Sequence, residues 1–320
     1  MPDITNMNDA QVLGFFVQQL AYIEREAYQQ QYPDILFPEL VPVDTTLPSW
    51  VDAVTFFSAD RVGEADWFNH ASRSVPNADV DRQRFDSRVE DASIGYIVTR
   101  KEIEKAQATG INIETERANS AVRASLEMTD RVLLGGDANK GMTGLFNLPN
   151  VTVANLQADG TGGTTFWANK SPQQKLRDLN YWVTIVNTST GTVEWADTIL
   201  LPVAMYMDAA NTYLGSENPG KTVLQAFREN NAYTAETGRP VTVRGVRGLE
   251  SAGTSGVGRV VVYRKDPSVL KAYINPHQFD APWQVGARIW QRPGFFRIGG
   301  VDARRPGAIR YFDGINPAGA

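Results

Sequence analysis

The stretch with the most explicit chemical signature is Gly215-Ser216-Glu217-Asn218-Pro219-Gly220-Lys221-Thr222, which satisfies the phosphate-loop pattern G-x-x-x-x-G-K-[ST] at every position. In a nucleotide hydrolase the amides of such a loop cradle phosphates, the lysine reaches the β- and γ-phosphates, and the final hydroxyl holds Mg²⁺. That geometry needs a buried strand ending at the first glycine and a helix after the last. A helix is expected from Thr222. Ahead of the loop, however, Met205, Ala209 and Tyr213 fall on one helical face, and the nearest strand stops at Pro202. The run Val260-Val261-Val262-Tyr263-Arg264-Lys265-Asp266 also puts two cations before its aspartate, unlike a metal-holding strand. A nucleotide-binding protein using Gly215 to Thr222 is therefore the alternative of another class.

Other catalytic templates stop short. Gly253-Thr254-Ser255-Gly256-Val257 lacks the closing glycine of a nucleophile elbow. Gly256-Val257-Gly258 lacks the third glycine of a dinucleotide fingerprint, and a strand follows it rather than a helix. Asp79-Val80-Asp81 has no calcium-loop continuation. The chain has no cysteine, which excludes disulfides, thiolate metal sites and cysteine nucleophiles, and its two histidines, His70 and His277, are far apart. Trp67, Phe68, Trp283 and Trp290 could stack on sugars or bases, but packing or interface roles are the plainer reading of aromatic side chains. We assign no catalytic residue, no cofactor and no metal ligand, and expect no enzyme.

One pattern has chemistry of a different kind. Arg82, Arg84, Asp86, Arg88 and Glu90 occupy every second position, with Gln83, Phe85, Ser87 and Val89 between them. In a strand the side chains alternate between faces, so one face is charged throughout. Such a face cannot be buried in a core. Trp50 to Ser58, rich in aromatic and β-branched residues, reads as the preceding strand, and Pro76-Asn77-Ala78-Asp79 as turn chemistry. A two-stranded ribbon is marginal by itself, so this one should be completed by contacts from elsewhere. Charges guarding a solvated edge are the alternative reading. Arginine outnumbers lysine 23 to 8, and its planar fork suits bidentate interface pairs.

The totals narrow the class. The balance of 31 basic and 36 acidic residues, net −5, argues against a dedicated nucleic-acid binder. The start lacks a basic n-region and an apolar h-region, so no signal peptide is expected, and no apolar run is long enough for a membrane span.

The elements that would position the ribbon centre on residues 111–150. Asn112 is a suitable N-cap, and Glu114 and Glu116 suit a first helical turn. Ala118, Ala121, Val122, Ser125, Met128 and Val132 recur at helical spacing, and Gly135-Gly136 ends the run. A helix over 113–134 would be about 33 Å long. A glycine-punctuated turn follows, from Gly136-Asp137 through Gly144-Leu145-Phe146-Asn147 to Leu148-Pro149-Asn150-Val151.

This long helix and its Gly-Asp…Gly…Gly-Leu-x-Asn-x-Pro-x-Val exit resemble the major capsid proteins of tailed bacteriophages. The resemblance implies an α+β fold of the Hong Kong 97 type. Its parts would be an N-terminal arm (1–47), an extended β-hairpin loop (48–95), a peripheral domain (96–150 and 270–320) with spine helix 113–134, and an axial domain (151–269). It implies self-assembly into pentamers and hexamers, and a shell around double-stranded DNA with no sequence-specific binding. The partners would be other copies, a portal protein, and scaffold or decoration proteins, with assembly in the host cytoplasm and residence in the virion. Trp67, Phe68, Arg82, Arg84, Asp86, Arg88 and Glu90 become subunit-interface candidates. Some family members crosslink the extended loop through a lysine. This chain has no lysine before Lys101, which rules that out here. An encapsulin-like nanocompartment shell of similar fold is the nearest alternative, and a tail or decoration protein a third.

The remaining segments fit that order. Asn8 to Ala27 reads as a helix with Val12, Phe16, Leu20 and Ile23 on one face. Prolines 33, 38, 42 and 48 keep the next segment extended, so it must lie against something, its own subunit or a neighbour. Thr99 begins a helix, Ser171-Pro172-Gln173-Gln174 another, and Val241–Leu249 and Arg259–Lys265 look like paired strands around a Gly-Ser-Thr tip.

Overall fold

The computed structural model describes residues 33–65, 67, 77–109, 113–215 and 220–317. The expected N-terminal helix, Asn112, Phe68 and His70 lie outside the described residues. The chain divides into residues 1–34 and a body, residues 35–320.

The helices of the body are α1 (Phe37–Leu40), α2 (Arg100–Thr109), α3 (Ile113–Gly135), α4 (Pro172–Ser189), α5 (Val203–Asn211), α6 (Val223–Glu229) and α7 (Ala232–Thr237). The strands are β1 (Val43–Asp44), β2 (Ala53–Val62), β3 (Asp79–Ser93), β4 (Tyr96–Thr99), β5 (Thr152–Asn155), β6 (Thr198–Leu201), β7 (Thr242–Gly245) and β8 (Arg259–Tyr263), followed by β9 (Leu270–Phe279), β10 (Trp283–Gly286), β11 (Ile289–Arg292), β12 (Gly294–Ala303) and β13 (Ile309–Asp313). They form three sheets with strand orders β1-β9-β12-β3-β2, β10-β11-β4 and β5-β13-β8-β6-β7.

The last of these sheets divides two apolar cores. Leu200, Val261, Tyr263, Ile309 and Tyr311 face the core that also holds Val132, Leu133 and Leu145. Ile199, Leu201, Val260, Val262 and Phe312 face the other, with Leu179, Trp182, Val183 and Val186 of α4. Alternate residues of one strand thus serve opposite cores, so these strands read as unbroken apolar runs. Strand β13 lies in the segment expected to be peripheral, yet it joins β5 and β8, so that segment contributes to more than one sheet. The expected pairing of the 241–249 and 259–265 strands is corrected: β6 lies between them, parallel to β7 and antiparallel to β8. All four β6 residues are buried, with a strand on each edge and an apolar core on each face.

Helix α3 matches the expected spine to within one residue and is roughly 35 Å long. The exit turn is tight because Leu145 and Phe146 N–H groups return to the carbonyls of Leu133 and Leu134, at 2.8 and 3.0 Å. Gly144 permits this approach: a Cβ there would sit 2.3 Å from Gly136 N and 2.6 Å from Leu134 O. The proline-rich segment lies, over residues 35–44, on its own body. Asp130 of α3 accepts the amides of Leu36 and Phe37, each at 2.8 Å, and Phe37, Leu40 and Val41 are buried. Strand β1 then adds to β9 in parallel.

Candidate assembly interface

Strands β2 and β3 pair over ten residues, from Ala53 opposite Arg88 to Val62 opposite Asp79. Strand β3 pairs with the body only through its far end, Val89–Ser93, against Phe295–Gly299 of β12. Residues 53–62 and 79–88 are therefore a two-stranded ribbon roughly 30 Å long that leaves the sheet at the Val89–Gly299 pair.

The exit turn of α3 enforces the departure. Thr143 O accepts the Val301 amide at 2.8 Å, and the Thr143 hydroxyl donates to Val301 O at 2.9 Å. These bonds occupy β12 just beyond its last pair with β3. The root is clamped from β12 by buried Arg297, which donates to Ser49 O at 2.5 Å and Asp52 Oδ1 at 2.9 Å and also pairs with Asp91.

Directly opposed residues in an antiparallel pair share a face. Arg82, Arg84, Asp86 and Arg88 therefore share the outer face with Ala53, Thr55 and Phe57, and the four charged residues are exposed. Asp86 accepts from the Thr55 hydroxyl at 2.6 Å and from Arg84 Nε at 2.9 Å, and these two bonds hold its carboxyl below the usual range. Phe57 stands between the arginines with 67 % of its surface exposed. Sequence reading counted it only as a strand-former; its register opposite Arg84 puts it on the charged face. Trp50 is 80 % and Trp67 98 % exposed. Glu90 stands apart from the other candidates: it is half-buried at the root and accepts from Lys140 Nζ at 2.9 Å. On the inner face Phe56 and Phe85 stack at 5.2 Å.

The described flanks of the phosphate-loop stretch are built differently from those of a nucleotide site. Residues 216–219 lie outside the described residues. On either side, Leu214 N–H donates to Lys221 O and Val223 N–H to Thr212 O, and the element before these flanks is α5 rather than a strand. The Thr222 hydroxyl accepts from Gln225 N in a capping box, and Lys221 pairs with Glu229. His277 packs edge-on to Phe279 and contacts Ile94 O at 3.0 Å, as a structural imidazole does. Among the described residues no three His, Cys, Asp or Glu side chains gather as metal ligands would, and no helix is long and apolar enough to cross a membrane.

A spine helix, a ribbon leaving a sheet at its exit turn, and an α/β portion beyond define the Hong Kong 97-type capsid fold. Solved structures of that fold align over nearly the whole chain. The capsid of Myoviridae phage XM1 is 17 % identical with a TM-score of 0.75, covering 93 % of this chain and 97 % of that one. The capsid of an empty GTA particle is 10 % identical at a TM-score of 0.64, covering 98 % and 99 %. A chain from Mycobacterium phage Cain is 15 % identical at 0.57, covering 98 % and 99 %. No curated protein matches. The family profile described as "Major capsid protein" matches residues 63–315, and the chain belongs to that family. It is a capsid shell protein of the tailed-phage type, and neither the encapsulin-like nor the nucleotide-binding alternative finds support.

Proposed function

We propose that the β2–β3 ribbon is the grip by which one subunit holds the next in the shell. The observation that carries this reading is a strand pair that, among the described residues, joins its own body's sheet only at the root, with exposed Arg82, Arg84, Asp86, Arg88 and Phe57 sharing one face. Arginine and aromatic anchors of this kind dominate protein interfaces. Trp67 and Phe68, which follow β2 in the sequence, complete the set of candidates, while Glu90 acts at the root.

In this reading 48–95 is the extended loop, 96–150 and 270–320 the peripheral portion, 151–269 the axial portion around the capsomer axis, and 1–47 an arm whose part from residue 35 lies on its own subunit. Copies associate into pentamers and hexamers in the host cytoplasm, dock to a portal with scaffold or decoration proteins, and enclose double-stranded DNA without reading its sequence. Each subunit contact is modest, and the shell gains strength because every copy makes several at once. The test is charge reversal at Arg84 and Arg88 together. The double variant should fold as a subunit and lose shell yield under electron microscopy; wild-type yield would remove the ribbon from this role.

A further inference from the structure

In the β1-β9-β12-β3-β2 sheet, register fixes which residues look toward the core. Phe296 and Ile298 of β12, with Ala92 of β3, face the apolar core. On the other side Asp91 and Ser93 of β3, Phe295 of β12 and Gln278 of β9 are exposed around buried Arg297. Phe295 shows 46 % of its surface. Arg297 pairs with Asp91 and with Asp52, using Oδ1 of each, so two exposed carboxylates share one guanidinium and a negative charge is left over.

The ribbon's outer face carries the complement. Arg84 is matched by Asp86, whereas Arg82 and Arg88 have no ion pair among the described residues, and Phe57 stands exposed beside them. The two surfaces also agree in spacing. Phe57 is opposite Arg84, which makes Arg82 its diagonal neighbour; Phe295 is opposite Ser93, which makes Asp91 its diagonal neighbour. Diagonal neighbours across a strand pair lie roughly 7–8 Å apart, so each surface presents a ring and a charge at the same separation, and the charges are opposite.

We propose that this open side of the sheet receives the ribbon of a second copy, whose Phe57 seats on Phe295 and whose Arg82 seats on Asp91. The assignment rests on the ribbon being the intersubunit grip and names the surface it holds. One chain cannot satisfy both halves itself. Arg82 and Asp91 lie on the same strand, nine positions apart, which is roughly 30 Å along it and on opposite faces. Giver and receiver are therefore different surfaces, and the contact runs head to tail, the arrangement that closes into rings. The ring pair supplies apolar burial, and the charge pair fixes the register.

The chain has no cysteine, so Arg82→Cys combined with Asp91→Cys tests the register directly. A disulfide needs Cα atoms within about 7 Å, which excludes an 82–91 bond inside one chain. Mild oxidation of shells of the double variant should give ladders of linked chains, with the 82–91 disulfide recovered by peptide mass spectrometry. Shells of wild-type yield without that bond overturn the receiver. Should the double variant not assemble, the wild type decides: carbodiimide labelling of Asp91 should fall severalfold from free subunit to shell, and equal labelling overturns the proposal. The Arg84/Arg88 reversal separates the two failures. If it abolishes shells while the 82–91 bond is absent, the ribbon grips a different surface; if it leaves shell yield intact, the grip itself is removed.

Discussion

Lys140 Nζ lies 2.9 Å from Glu90 Oε2, joining the exit turn of the spine helix to the last stretch of β3 that is still paired with the body. Fifty residues separate the two in sequence. The pair sits beside the point where Thr143 takes over Val301 and the ribbon departs, so the turn that ends α3 also fixes where the ribbon begins.

Removing that pair should be felt locally. Both side chains are partly exposed, and exposed pairs contribute little, so Lys140→Ala should leave the urea unfolding midpoint almost unchanged. Amide exchange at Val89 to Asp91 should nevertheless accelerate, while exchange in α4 stays unchanged. Uniform acceleration through the body would mean that the pair supports the whole fold rather than the root.

Arg259 and Asp313 are the opposite case, an ion pair with both side chains buried. Arg259 Nε and Nη2 donate to the two carboxylate oxygens at 2.7 and 2.8 Å. Burial alone would raise the Asp313 carboxyl, but the Arg259 bond and the Thr254 amide outweigh it and hold the group below its usual range. A depressed group contributes stability above its unfolded value that is lost as pH falls through its folded one. Arg259→Ala strands a buried carboxylate and should cost about 3–5 kcal/mol near neutrality. The penalty should shrink toward pH 4, where the stranded acid takes up a proton. Urea unfolding at the two pH values measures this; equal penalties would contradict it.

Thr222 separates a helix cap from a magnesium ligand. As a cap, its replacement by alanine should lower stability by about 1 kcal/mol, with ATP and Mg²⁺ leaving the thermal transition of either protein unmoved. A nucleotide-dependent rise in the wild type, lost in Thr222→Ala, would restore the phosphate-loop reading.

What the sequence disclosed follows the range of the interactions. The spine helix, the Ser171 capping box, the helix start at Thr222 and the alternating charges of β3 are local, and each was legible from residues three or four apart, or two apart in the strand. The β6 insertion between β7 and β8, and the docking of residues 36 and 37 on Asp130, depend on partners far along the chain, where no local period reports them. Phe57 was hidden for a related reason. Its residue type suits a core, and only its register opposite Arg84 places it on the outer face.

The central claim is that the ribbon's outer face meets another copy. Because the chain has no cysteine, Phe57→Cys supplies a unique thiol for a photoactivatable crosslinker. Illumination of assembled shells should then yield a covalent product of two chains, with the crosslinked peptide mapping to a different copy's surface. Products confined to single chains, from shells that assemble normally, would contradict the claim.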